Sequence, residues 1–159
     1  MGLSEIIESL KTGYVGNKNY SIYNNAIAIC RGLFQQPYEK LTLENMRELT
    51  SAYEVFRSSF GRGQNELLDR WEKETDGSPE KCRLEDEHSN RLHTYKAIKK
   101  QVGIFIYRFV CLNSPMIEKL SPEEMHEVLS MAKHDRLFFD DVQMVRMFKA
   151  IHTSENAYL

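Results

Sequence analysis

The stretch PEKCRLEDEHSNRLHTYKAIKKQVGIFIYRFVCL, residues 79–112, decides how this chain folds. Leu84, Leu92, Tyr95, Ile98, Val102, Phe105, Phe109 and Leu112, with His88 on the same seam, follow one another at steps of three and four. That spacing keeps one face of an α-helix apolar from Leu84 to Leu112. Val102–Leu112 alone, rich in Ile, Phe and Val, would pass for a strand, but it continues the upstream helical phase. Ser78 supplies an N-cap and Pro79 the first helical position. Asn113-Ser114-Pro115 stops the run, and Gly103 marks the place where so long a helix would kink.

The segments on either side read the same way. Leu3, Ile6, Ile7 and Leu10 line one face of a short helix ended by Gly13. After a turn at Gly13–Asn19, Tyr20, Tyr23, Ile27, Cys30 and Phe34 form one stripe. Ile22, Ala26, Ile29 and Leu33 form a second, so this helix is expected to be buried on both sides until Pro37 ends it. Thr42 is an N-cap for Met46, Leu49, Tyr53, Phe56 and Phe60; Gly61-Arg62-Gly63 then reads as a joint before a helix carrying Leu67, Leu68 and Trp71. Ser121-Pro122-Glu123-Glu124 makes a capping box ahead of Met125, Val128, Leu129 and Ala132. A last helix is expected from about Asp140, with Met144, Val145, Phe148 and Ile151 apolar. Strict alternation and hairpin dipeptides, the two sheet signals, are missing. The expectation is an all-α fold, a single-domain bundle or short helical-repeat array of about six helices over residues 1–152, with 153–159 a flexible tail.

Residues 39–51 resemble 118–130, with seven of thirteen positions identical at an offset of 79. Capping chemistry accounts for Thr/Ser and Glu, but not for Glu-Lys-Leu before the cap or Met-x-Glu after it. The same offset lays Tyr23, Ala26, Ile27, Cys30 and Leu33 on Val102, Phe105, Ile106, Phe109 and Leu112, suggesting an internal duplication. In general pattern this resembles the α-helical hairpin repeats of organelle RNA-binding and scaffold proteins, a class that presents binding surfaces. No consensus repeat signature accompanies the likeness.

Composition narrows the function classes. The 159 residues carry 21 basic and 23 acidic side chains, a net charge of −2, without the large positive field of a dedicated nucleic-acid binder. Cys30, Cys82 and Cys111 are odd in number and widely spaced, which argues against a disulfide framework or thiolate zinc site and for small buried hydrophobes. With no signal, transit or transmembrane pattern, an intracellular, cytoplasmic protein is expected.

No segment carries a phosphate loop, a nucleophile elbow or a zinc-binding helix, so no catalytic residue, cofactor or metal is expected. Glu85-x-x-His88 and Glu123-x-x-His126 have the spacing used by di-iron bundles, yet Glu123 falls opposite its helix's apolar face. His88 is expected to be a partly buried histidine. His134-Asp135 and Asp140-Asp141 read as caps and loop.

Two candidates remain. Trp71, beside Leu67 and Leu68, is either a core position or the anchor for a protein partner. On the long helix, Ser89, His93, Lys96 and Lys100 share the outward face, with Arg91 and Lys99 beside them, a stripe suited to RNA or DNA phosphates. The chain is therefore expected to be a non-enzymatic protein-interaction module, adaptor or assembly subunit that binds a protein partner or itself. The alternative is a nucleic-acid-binding helical protein using Arg91, His93, Lys96, Lys99 and Lys100; an enzyme without a recognisable motif comes third.

Overall fold

The computed structural model describes residues 2–12, 22–133, 146 and 149. Among these, 87% are helical, in six α-helices and no strand. The elements run α1 (Leu3–Thr12), α2 (Ile22–Phe34), a 3-10 turn (Tyr38–Lys40), α3 (Leu43–Glu72), α4 (Pro79–Leu112), α5 (Ser114–Glu118) and α6 (Pro122–Lys133). None is long and apolar enough to cross a membrane. The chain divides into two compact units: Met1–Gly32 with Ser51–Ile98, and Leu33–Thr50 with Lys99–Leu159.

In the first unit, the second part of α3 runs antiparallel to the first part of α4. The ring of Tyr95 stacks on Phe60 with centroids 4.3 Å apart and on Phe56 at 5.8 Å. Its hydroxyl lies 3.4 Å from that of Tyr53. Aromatic pairs of this kind add about 0.5–1.5 kcal/mol each beyond the area they bury. Ile6, Ile7 and Leu10 of α1 and Ile29 of α2 are buried in the same unit. Thr75–Ser78 reverses the chain, and Gly77 has φ +78°, a conformation that a side chain would strain. The Ser78 hydroxyl accepts the Lys81 amide at 3.1 Å, so the predicted cap and Pro79 start are both present.

In the second unit, the remainder of α4 is buried over a broad face: Val102, Phe105, Ile106, Phe109 and Val110. Tyr38 lies 5.3 Å from Phe105, and its hydroxyl donates to the Leu33 carbonyl at 2.8 Å. The buried Asn113 donates from Nδ2 to the Leu41 carbonyl at 2.8 Å, tying the end of α4 to the segment before α3. Arg47 of α3 grips Glu127 of α6 with two bonds, at 2.7 and 2.9 Å, and holds that carboxyl below its ordinary range. α5 packs on the 3-10 turn.

The two similar segments share their local chemistry. Thr42 Oγ1 accepts the Asn45 amide at 3.2 Å and Asn45 Oδ1 accepts the Thr42 amide at 2.9 Å. Ser121 and Glu124 exchange the equivalent pair at 3.2 and 3.0 Å. Met46 and Met125, Leu49 and Val128, and Leu41 and Leu120 are all buried. The likeness fails upstream: Ile27 is 75% exposed where Ile106 is buried, and Leu112 is 55% exposed where Leu33 is buried. The correspondence is thus limited to the cap and the helix it starts.

Four expectations need correction. α2 is not buried on both sides: Ile29 and Leu33 are buried, but Ile27 and Phe34 are exposed, the latter beneath the Arg108 guanidinium at 4.2 Å. Gly61-Arg62-Gly63 is not a joint, because α3 continues through it to Glu72. Two glycines cost about 1 kcal/mol each in a helix, but Phe56, Phe60 and Leu67 bury the face on either side. Cys82 is exposed rather than buried, while burial raises the thiol pKa of Cys30 and Cys111. His88 is exposed, beside the site described next. The Gly13–Asn19 turn, Tyr20, His134-Asp135, Asp140-Asp141, the start of the last helix and the tail lie outside the described residues.

Asn113→Ala leaves the Leu41 carbonyl without its donor and opens a small void, so it should lower stability by about 2–3 kcal/mol. Ser121→Ala, which removes only a cap, should cost about 1 kcal/mol. Urea unfolding followed by far-ultraviolet circular dichroism separates the two.

Candidate functional site

Beyond the Tyr95 stack, the seam between the paired helices opens. Gln64 reaches across to donate to the His88 carbonyl at 3.3 Å, and Arg91 lays its guanidinium over Gly63, where a Cβ would collide with it. Further on, Leu67, Leu68 and Trp71 of α3 face Leu84, Glu85 and His88 of α4 across a groove of about 220 Å³. Leu67 and Leu84 form its buried floor, and Leu68, 46% exposed, forms one wall. The spacing explains why: 67, 68 and 71 share one face of α3, and 84, 85 and 88 share one face of α4.

Trp71 is half-buried and held from two directions. Its Nε1 donates to Glu85 Oε1 at 2.9 Å, and Lys81 Nζ lies 4.1 Å from the ring. Lys81 is itself buried; it donates to Asp76 Oδ1 at 2.6 Å and to the Glu74 carbonyl at 3.4 Å, holding the turn that follows α3. The Lys81 ammonium lowers the pKa of Asp76 by hydrogen bonding and by its charge. A lowered carboxyl pKa means the pair stabilises the fold above the ordinary value of 3.8 and loses that contribution as pH falls through the lower folded value. The tryptophan is therefore neither fully in the core nor loose on the surface.

The other sequence candidates separate. On α4, Ser89, His93, Lys96 and Lys100 are exposed along one face and Lys99 is half-buried beside it. Arg91 does not share that surface, for it lies about 200° around the helix from Ser89 and points at α3. The paired Glu-x-x-His motifs do not converge: Glu123 and His126 are exposed on α6, and Glu85 is engaged by Trp71. Among the described residues, no three His, Cys, Asp or Glu side chains group as a metal site would require. Sequence reasoning missed Lys81 and Gln64, because each acts across the hairpin rather than along its own helix.

Comparison with known proteins finds no matching family model, curated protein or solved structure.

Lys81→Ala removes the ring contact, the cap on the Glu74 carbonyl and a buried aliphatic stem, and should cost about 1–2 kcal/mol. Asp76→Asn, at an exposed carboxylate, should cost less. Because the chain has one tryptophan, urea titration read by its emission reports the groove directly.

Proposed function

We propose that this chain is a non-catalytic helical interaction module, an adaptor or assembly subunit, that takes a protein partner into the α3–α4 groove. The observation that carries the reading is the fixed, half-exposed Trp71 beside the exposed Leu68 over an apolar floor. Tryptophan is enriched among the few residues that dominate interface energies. Holding it in place before binding, by Glu85 and Lys81, reduces the entropy lost on association. A groove of about 220 Å³ falls below the roughly 300–1,000 Å³ typical of sites that enclose a small molecule, and suits one or two inserted side chains.

A second reading rests on the exposed His93, Lys96 and Lys100 with Lys99 beside them on α4, which could meet nucleic-acid phosphates. The two readings differ in what a substitution removes. Affinity capture with the wild-type chain, Trp71→Ala and the Lys96/Lys99/Lys100→Ala triple variant, with mass spectrometry of proteins and sequencing of nucleic acid, should show protein partners lost only with Trp71→Ala. Nucleic acid lost with the triple variant, with the slope of log K against log salt falling by about 0.7–0.9 per phosphate contact, would favour the second reading.

A further inference from the structure

The groove sits in a strongly acidic part of the chain. Residues 64–88, which hold all of its lining, contain nine acidic and four basic side chains, a net of −5 in a chain whose total is −2. Three of the four cations there are engaged by carboxylates of the same segment: Lys81 by Asp76, Arg83 by Glu80 and Glu87, and Arg70 by Glu80. The excess is therefore outward carboxylate. Glu85 stands in the groove wall, Glu72 is exposed one turn beyond Leu68, and Asp69 and Asp86 are exposed on the outer faces of the two helices. Farther along α4 the pattern reverses, for residues 88–117 contain no acidic side chain and five basic ones.

Resting on the interaction-module reading, we propose that the occupant of the groove is a basic amphipathic helical segment of another protein. One or two large aliphatic or aromatic side chains enter between Leu68 and Leu84, and Lys or Arg flanking them faces Glu72 and Glu85. Apolar insertion supplies the contact, and the acidic field supplies selection and fast encounter. The same field repels nucleic-acid phosphate and anionic lipid from this surface.

The test uses the full chain and three tryptophan-free 18-residue amphipathic helical peptides. Their apolar face is Leu with one central Phe, and their polar face is all Lys, all Gln or all Glu. Titration is followed by the emission of Trp71. The Lys peptide should shift that emission saturably and bind at least about tenfold more tightly than the Gln peptide, with the Glu peptide weakest. Its advantage should disappear at about 1 M salt, where screening is within about 3 Å. The Asp69→Asn/Glu72→Gln/Asp86→Asn variant, which keeps Glu85 on Trp71, should reduce that advantage and leave the Gln peptide unchanged. Leu68→Ser should weaken the Lys and Gln peptides alike, with circular dichroism verifying the fold. Equal binding of Lys and Gln peptides, each lost in Leu68→Ser, would keep the groove as a docking site and overturn its basic selectivity. Failure of the Lys peptide to bind would overturn the proposal, as would sedimentation showing a dimer that Leu68→Ser dissolves.

Discussion

Tyr95 is the constraint on which the α3–α4 hairpin depends. One ring from α4 rests on two rings from α3, Phe60 at 4.3 Å and Phe56 at 5.8 Å, and its hydroxyl meets Tyr53. Rings this large set both the separation and the register of two helices, since sliding by one turn would replace stacked faces with clashes or voids. With that register set, Gly63 meets Arg91, Gln64 meets His88, and Trp71 meets Glu85. The same packing carries α3 through two glycines that would otherwise favour a break.

The groove is a consequence of that register. Aromatic side chains fill the seam around Tyr95, whereas farther along its buried hydrophobic residues are Leu67 and Leu84. Two helices held apart by rings cannot close over leucines, so a slot remains. The tip restrains it from the other side: Gly77 turns the chain, Ser78 caps α4, and the buried Lys81 ties down the segment after α3 while supporting the face of Trp71. The slot is apolar at depth and carries Glu85 and His88 in its lining.

The repeated segment shows how far local chemistry extends. Both copies start with a reciprocal cap and bury a methionine four residues on, and the second uses Glu124 where the first uses Asn45. Their preceding helices bury different faces because their surroundings differ: α2 leaves Ile27 and Phe34 exposed, whereas α4 is covered over Phe105, Ile106, Phe109 and Val110. Caps are satisfied within a few residues and so do not depend on the partner helix; a buried face is set by what lies opposite.

The helical class, the positions of the caps at Thr42, Ser78 and Ser121 and the buried seam from Ile98 to Phe109 were determined by the sequence itself. These depend on steps of three and four residues and on hydrogen bonds between near neighbours. Only the tertiary structure decided that α3 passes through Gly61 and Gly63, that Arg91 leaves the basic stripe, that Ile27 and His88 are exposed, and that Trp71 stands half-open between Glu85 and Lys81. Each of those outcomes is set by a side chain on another helix or by the space beside it. Periodicity along one helix shows which face is apolar, whereas the neighbour determines whether that face is covered.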